Sequence, residues 1–380
     1  MNRLVMILGI AGIFSISQIS AAENLKVKVT NPLNESRGCE TISLDMKALS
    51  GFNKVKPAVY SDTLKKFIPS QLIDNDDDDV FDELVFQADF KANQSQMFNI
   101  VEANAANQVQ PEYGAVANYI PQRKDDFAWE NDKIAFRMYG QELQRTELIS
   151  SGIDVWVKKV EKPVMQDLYD KGHDYYHSDN PLGIDFFTVG TTLGCGGLGV
   201  WQDGKLQLSL NYYDWEIVAN GPIRTVFDLC YKPWQMGDVK VSEVKRITLD
   251  KGSNFNRIES KFYADVNNVT FAVGIVKCER NGNVTCSKDS SWLSYWQNPD
   301  PNFGIIGCAV ILPVKSGGYQ SAEDEKNYFI LTKAKNNSVI YYAGAGWNKT
   351  AGFESEEKWT AFVERTAKLI ENPLQIQIQK

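Results

Sequence analysis

The sequence predicts an all-β protein, a large β-sandwich with a single long helix near its C-terminus. Three observations lead there. Apolar and polar residues alternate with period two in Leu25–Thr30, Val155–Val157 and Leu206–Leu210, the pattern of half-buried strands. β-Branched and aromatic runs recur at Ile223–Tyr231, Val239–Leu249, Val269–Val276, Gly304–Leu312, Tyr328–Thr332 and Ser338–Tyr342, separated by Asn, Gly, Asp and Pro clusters. Clear helical spacing marks one stretch near the end of the chain. There Ser355 is a candidate cap, Glu356 and Glu357 fill the first turn, and Trp359, Phe362, Val363, Ala367 and Ile370 share one side before Pro373 stops it. With no internal repeat or low-complexity linker, one domain over 23–380 is the simplest organisation.

Taken in order, Met1–Ala22 reads as an export signal. Arg3 supplies a short positive start, Leu4–Ile19 is mostly apolar, and Ser20-Ala21-Ala22 offers small residues for cleavage. No later stretch is apolar for long enough to span a bilayer. The expectation is a periplasmic or secreted protein without a membrane span. The net charge of −8 argues against nucleic acid as a partner, yet leaves room for a local basic pocket and an anionic substrate. Six cysteines, Cys39, Cys195, Cys230, Cys278, Cys286 and Cys308, permit disulfides in an exported chain. Cys278 and Cys286 are the best pair, because they flank Arg280-Asn281-Gly282-Asn283 and Asn-Gly favours a hairpin turn. No CxxC pair supports a zinc knuckle.

Ser61–Leu72 is a candidate for a second, short helix. The acidic run after it places carboxylates at Asp74, Asp76, Asp78 and Asp82. This is the spacing of several calcium loops, and hard oxygens on a tight turn suit that ion. Asp79 stands where such loops usually carry glycine, and no glutamate occupies the twelfth position, so an EF-hand is not supported. The two readings are a structural calcium and a solvated acidic turn; no cofactor is required.

Arg123–Gly140 comes next. Lys133–Tyr139 has strand character, with Ile134, Phe136 and Met138 on one face and Lys133, Ala135, Arg137 and Tyr139 on the other. A polar strand face with an arginine suits a carboxylate- or sugar-binding sheet. Arg123 and Lys124 add charge, Trp129 could stack on a pyranose, and Glu130 and Asp132 are available for acid–base work. The competing reading is a surface ion-pair network.

The chain's two histidines, His173 and His177, lie together in a stretch that also carries Asp174, Tyr175, Tyr176, Asp179 and Asp185. Histidine titrates nearest neutrality, so proton-transfer and metal-binding options concentrate here. Gly172, Asn180, Pro181 and Gly183 predict a loop. The H-x-x-x-H spacing admits a mononuclear metal with an acid, and equally a Tyr–His acid–base pair. The alternative is two ordinary histidines. Val189–Gly199 is glycine-dense but matches no phosphate loop, which predicts backbone passing close to a ligand or another strand. Arg224, Tyr231 and Arg257 are further candidates for an anionic pocket. Lipase-type, zincin and Rossmann motifs are absent.

Several of these blocks occur together in one known family. Arg123–Gly140, Gly152–Lys158, the Tyr-Tyr-His loop, Thr192–Gly197 and Asn220–Phe227 resemble, in this order, the exported bacterial family catalogued as domain of unknown function 4861. The resemblance spans most of the chain. It implies a galactose-mutarotase-like or polysaccharide-lyase-like super-sandwich, and an association with the degradation of acidic polysaccharides. It also implies dehydration of a saturated uronic acid at a non-reducing end, giving a 4,5-unsaturated sugar. Such a β-elimination needs a neutralised carboxylate, a base for the C5 proton and an acid for the leaving oxygen. Arg137, with Arg224 or Lys124, is the expected neutralising group. His173 or His177 is the expected base, and a tyrosine of the same loop the expected acid. The alternatives are a hydrolase or epimerase using Glu130 and Asp132, or a non-catalytic sugar-binding protein relying on Trp129, Trp201, Trp215 and Trp234.

Overall fold

Alternating strands bury one face each, and the computed structural model shows where those faces meet. It describes residues 24–379 except 50, 53–54, 110, 237–238, 279–280 and 315–316; the expected export signal therefore lies outside the described residues. Among the described residues the paired strands are antiparallel and form two packed units without a barrel. In the smaller, the sheet of Leu25–Thr30, Ser95–Glu102, Pro57–Ser61, Lys66–Ile68 and the C-terminal Gln375–Gln379 faces the sheet of Arg37–Asp45, Glu83–Phe90 and Ser70–Ile73. Val27, Val29, Ile42, Leu44, Phe86 and Phe98 fill the space between them. The apolar residues that alternate in Leu25–Thr30 are those that are buried.

The larger unit packs an eight-stranded sheet, including Arg224–Met236, Val239–Asp250, Phe255–Phe262 and Ser338–Trp347, against two five-stranded sheets. One of these consists of Ala115–Ile120, Asp126–Asn131, Ile134–Met138, Asp154–Lys158 and Gly183–Asp185, and it carries most of the candidate site residues. Its inner face joins the main core through Phe127, Trp129, Phe136 and Val155. The C-terminal helix spans Glu356–Glu371, capped by the Ser355 hydroxyl, and packs Trp359 and Val363 on Phe255 and Ala309. Among the described residues no helix is long and apolar enough to cross a membrane.

Three expectations change. Ser61–Leu72 is not a helix: it folds as a turn, then the strands Lys66–Ile68 and Ser70–Ile73. Pro69 explains this, since it lacks an N–H and its ring clashes within a helix. Strand structure around Leu206 stops at Gln207, and Leu210 is exposed. Cys278 and Cys286 are both free thiols. Cys286 pairs opposite Leu293, whereas the Cys278 amide donates to the Tyr295 hydroxyl, so the two are not strand partners. The glycine-rich stretch behaves as expected of backbone passing another strand. A Cβ on Gly194 would lie 2.2 Å from the Ile153 carbonyl, and one on Gly196, at φ +99°, 2.1 Å from Ala343 Cβ.

Candidate active site

The outer face of the Ala115–Asp185 sheet is charged yet buried. Strand alternation puts Asp126, Ala128 and Glu130 outward on one strand, Ala135 and Arg137 on the next, then Asp154, Trp156 and Lys158, and finally Asp185. Two short helices, Met165–Lys171 and His173–Tyr176, cover this face with Leu168, Tyr169 and Tyr176. Glu130 holds that cover in place. Its carboxylate accepts the Val164 and Met165 amides at the start of the first helix and binds Lys158 Nζ at 2.5 Å. Burial pushes the Glu130 carboxyl up and the Lys158 amine down.

Arg137 lies at the centre, 3% exposed. It meets Asp154 at 2.5 Å, Asp185 at 2.7 Å and Asp126 at 3.5 Å, and donates to the Tyr139 hydroxyl at 2.9 Å. The hydroxyl of Tyr169 donates to Asp126 and the indole of Trp156 to Asp154. Three carboxylates around one arginine leave excess negative charge in a dry place. Burial accordingly raises the Asp126 carboxyl to about 6, and burial together with Asp154 raises that of Asp185 well above the usual range. Asp126 Oδ1, Asp185 Oδ1 and Arg137 Nε have no hydrogen-bond partner.

The histidines sit at the edge of this cluster. The expected loop is instead a turn of helix, His173–Tyr176, separated from the preceding helix by Gly172 at φ +93°. Asn180 fixes the return to the sheet: its oxygen accepts the Leu182 and Gly183 amides, and its nitrogen donates to the Tyr175, Ser178 and Gly183 carbonyls. His177 Nδ1 lies 2.8 Å from the Asp185 carbonyl oxygen, which assigns the proton to Nδ1 and leaves Nε2 as the basic atom. Nε2 is 3.6 Å from Asp185 Oδ2 and the side chain is 36% exposed. Burial lowers the His177 pKa, so the imidazole is neutral at pH 7. His173 packs on His177 with ring centroids 4.4 Å apart, and is itself more exposed. The Tyr176 ring lies 4.8 Å from that of His177, and its hydroxyl accepts from Arg123 Nε at 3.2 Å. Burial raises the Tyr176 pKa, so the phenol keeps its proton. Tyr175 is half-buried under Lys171 Nζ, and Lys124 reaches out to Glu147.

His177, Tyr176, Arg123, Asp185 and Arg137 thus converge, with Asp185 joining the histidine to the arginine. Other expected residues do not join them. Trp129 is fully buried, stacked on Phe136, and its indole donates to Asn256, so it has no face for a sugar. Tyr231 is a core residue whose hydroxyl points at Met138 Sδ. Arg224 lies in the eight-stranded sheet, held by both oxygens of Asp250 and by Glu83. Glu130 and Asp132 do not form a catalytic pair: one anchors the covering helix and the other accepts the Gly252 amide. Arg137 itself is engaged by three carboxylates, which leaves Arg123 as the nearer group for an incoming anion. Sequence reasoning places Tyr139 on the face of Arg137 but misses Asp126, Asp154 and Tyr169 as members of this site. For the two aspartates the signal is strand alternation, extended from Arg137 to the neighbouring strands.

Two further places bear on binding. Trp215 and Tyr119 stack at 5.0 Å beside the half-exposed Tyr213, Gln141 and Arg145, lining a small hollow of about 140 Å³. In the acidic run, Asp74, Asp76 and Asp78 each bring a carboxylate oxygen within 4.8 Å of the others. Asp82 is outside that group and accepts the Asn75 amide. Asp79 adopts φ +66°, supplying the left-handed conformation that glycine would otherwise provide.

An uncharacterised protein, P7, of Formosa agariphila is 31% identical over 398 aligned positions, covering the full length of both chains. Two solved structures from Enterococcus faecalis share the fold: a protein in glycosyl hydrolase family 38 and an α-mannosidase, each with TM-score 0.52 at 9% and 8% identity. They align with 95% and 96% of this chain, which spans about half of theirs, 48% and 47%. The family model described as domain of unknown function DUF4861 matches residues 29–376, and the chain belongs to that family.

Proposed function

We propose that this protein is an exported enzyme that acts on uronic-acid-containing oligosaccharides by β-elimination at a non-reducing-end uronate. The observation that carries this reading is the pairing of a neutral His177, with Nε2 free, and a protonated Tyr176 bound by Arg123. Arg123 neutralises the sugar carboxylate and so acidifies C5–H. His177 Nε2 takes that proton, the C4=C5 double bond forms, and the C4–O bond breaks. A tyrosine of the same turn, the half-buried Tyr175 or the buried Tyr176 through its hydroxyl beside Arg123, protonates the departing oxygen, and the histidine and tyrosine recover their starting protonation by exchange with water before the next turnover. No redox partner is needed. Asp185 holds the His177 ring in position through its carbonyl, and the Arg137 cluster holds Asp185.

Solved relatives in fold that are named for glycoside hydrolysis support a carbohydrate as the substrate class. They also favour the second reading, hydrolysis on the same fold. The Trp215–Tyr119 stack with Tyr213 supports a third, sugar binding without turnover. Incubation with a panel of acidic oligosaccharides separates the three. Elimination raises the absorbance of a conjugated enol-uronate. New reducing ends without that rise favour hydrolysis. Binding without either product favours a binding protein, and no absorbance rise across the panel sinks the proposal.

A further inference from the structure

A cavity of about 490 Å³ lies away from the histidines. It is a cleft between the smaller sandwich, the outer face of the eight-stranded sheet and the C-terminal helix. Its size is that of a small-ligand site. Its lining is cationic: Arg37, Arg224, Lys251, Arg257 and Arg365 face two carboxylates, Glu40 and Asp250. Two of the five cations are committed to structure. Arg224 is clamped by Asp250 and Glu83. Arg37, 3% exposed, holds the end of the C-terminal helix through the Asn372 and Leu369 carbonyls and pairs with Glu40. Its Nε is buried and has no hydrogen-bond partner.

The other three retain donors. Arg365 gives one nitrogen to the Ser36 carbonyl, and Arg257 pairs with Glu259 through one nitrogen, both half-open to solvent. Lys251 makes no ion pair among the described residues. Phe255, Tyr342 and Phe362 form apolar wall between them. A cleft with surplus, partly desolvated cations beside aromatic rings suits a ring-shaped ligand that carries an anionic group.

We propose that this cleft is a second binding site, for the carboxylate- or sulfate-bearing residue of an acidic saccharide, separate from the histidine site. It rests on the acidic-oligosaccharide reading above and adds where such a chain is gripped. Lys251, Arg257 and Arg365 hold the anion, and the aromatic wall holds the ring.

Isothermal titration of the whole protein tests it. The probes are a glucuronate-containing oligosaccharide, a sulfated one, a neutral one of equal length, and inorganic sulfate. The wild type is expected to bind the charged oligosaccharides, more weakly as salt rises, and not the neutral one. Lys251→Gln with Arg257→Gln, the first at an exposed and the second at a half-exposed position, is expected to weaken binding about tenfold or more. Whether glucuronate or sulfate binds tighter identifies the group recognised, and inorganic sulfate matching both means an ion site only, which overturns the saccharide assignment. Binding unchanged within twofold in the double variant also overturns it. The two proposals fail separately. If His177→Ala abolishes turnover while the cleft variant binds as the wild type, only the cleft falls. If the cleft variant loses binding and no substrate is turned over, only the catalytic reading falls.

Discussion

The two faces of the Ala115–Asp185 sheet are equally buried and chemically opposite. The inner face sets Phe127, Trp129, Phe136 and Val155 into the main core. The outer face sets Asp126, Arg137, Asp154 and Asp185 under two short helices. Burying the first set is favourable in itself, at roughly 25 cal/mol per Å² of apolar surface. Burying the second is not, because desolvating ions costs several kcal/mol each and mutual attraction repays it only with good geometry. Three carboxylates for one arginine, with three polar atoms left unpartnered, is poor geometry for stability alone. A face maintained against that cost, and ending at the chain's two histidines, is where chemistry is expected.

The contrast can be broken by mutation. Arg137→Leu removes the cation from three buried carboxylates and should cost about 3–5 kcal/mol, read by denaturant unfolding. Phe136→Ala, on the opposite face, should cost a similar 3–5 kcal/mol by opening a cavity. The two differ in rescue. Adding Asp126→Asn and Asp154→Asn to Arg137→Leu should recover most of the loss, whereas no polar change on the outer face restores Phe136→Ala. Equal failure to rescue would mean that the outer face is not an electrostatic unit.

pH sharpens the same comparison. The folded Asp126 pKa of about 6 lies above the ordinary 3.8, so its contribution is fully present below pH 3.8 and lost as pH rises through 6. Relative to Asp126→Asn, the wild type should therefore gain up to about 3 kcal/mol between pH 7 and pH 4. His177 has the opposite sign. Its folded pKa is depressed, so its contribution is present above pH 6.5 and lost as pH falls through the folded value. The acidic limb of kcat/KM should accordingly lie below pH 6.5. A limb above that pH would assign the base elsewhere. The smallest effect concerns the acidic run, where we propose a structural calcium on Asp74, Asp76 and Asp78. Calcium should raise Tm by a few degrees at saturation, and Asp76→Asn should abolish the rise; no shift in the wild type leaves a solvated acidic turn.

The sheet sandwich, the capped helix at Ser355 and the two faces of Lys133–Tyr139 were legible because period two and period 3.6 are local signals. The Arg137 partners were not, since Asp126, Asp154 and Asp185 come from three other strands and register is set by non-local pairing. Trp129 misled for the same reason: tryptophan on a polar-looking stretch fits a sugar platform or a core equally well, and its neighbour Phe136 decides. Arg224 was expected to meet a substrate anion, but the anions it meets are the protein's own Asp250 and Glu83. Of the cleft, only Arg224 and Arg257 were candidates for an anionic pocket; Arg37, Lys251 and Arg365 were not, because they are far apart in sequence and single lysines and arginines carry no signal.

The most direct test compares wild type and His177→Ala on the acidic oligosaccharide that gives the largest absorbance rise, with Tm measured alongside. His177 is partly exposed and makes one hydrogen bond to backbone, so Tm should move by no more than a few degrees. The rate of enol-uronate formation should fall about 10²–10⁴-fold, the range for loss of a general base. A His177→Ala variant that folds as the wild type and keeps its rate within threefold would contradict the assignment of catalysis to this face of the sheet.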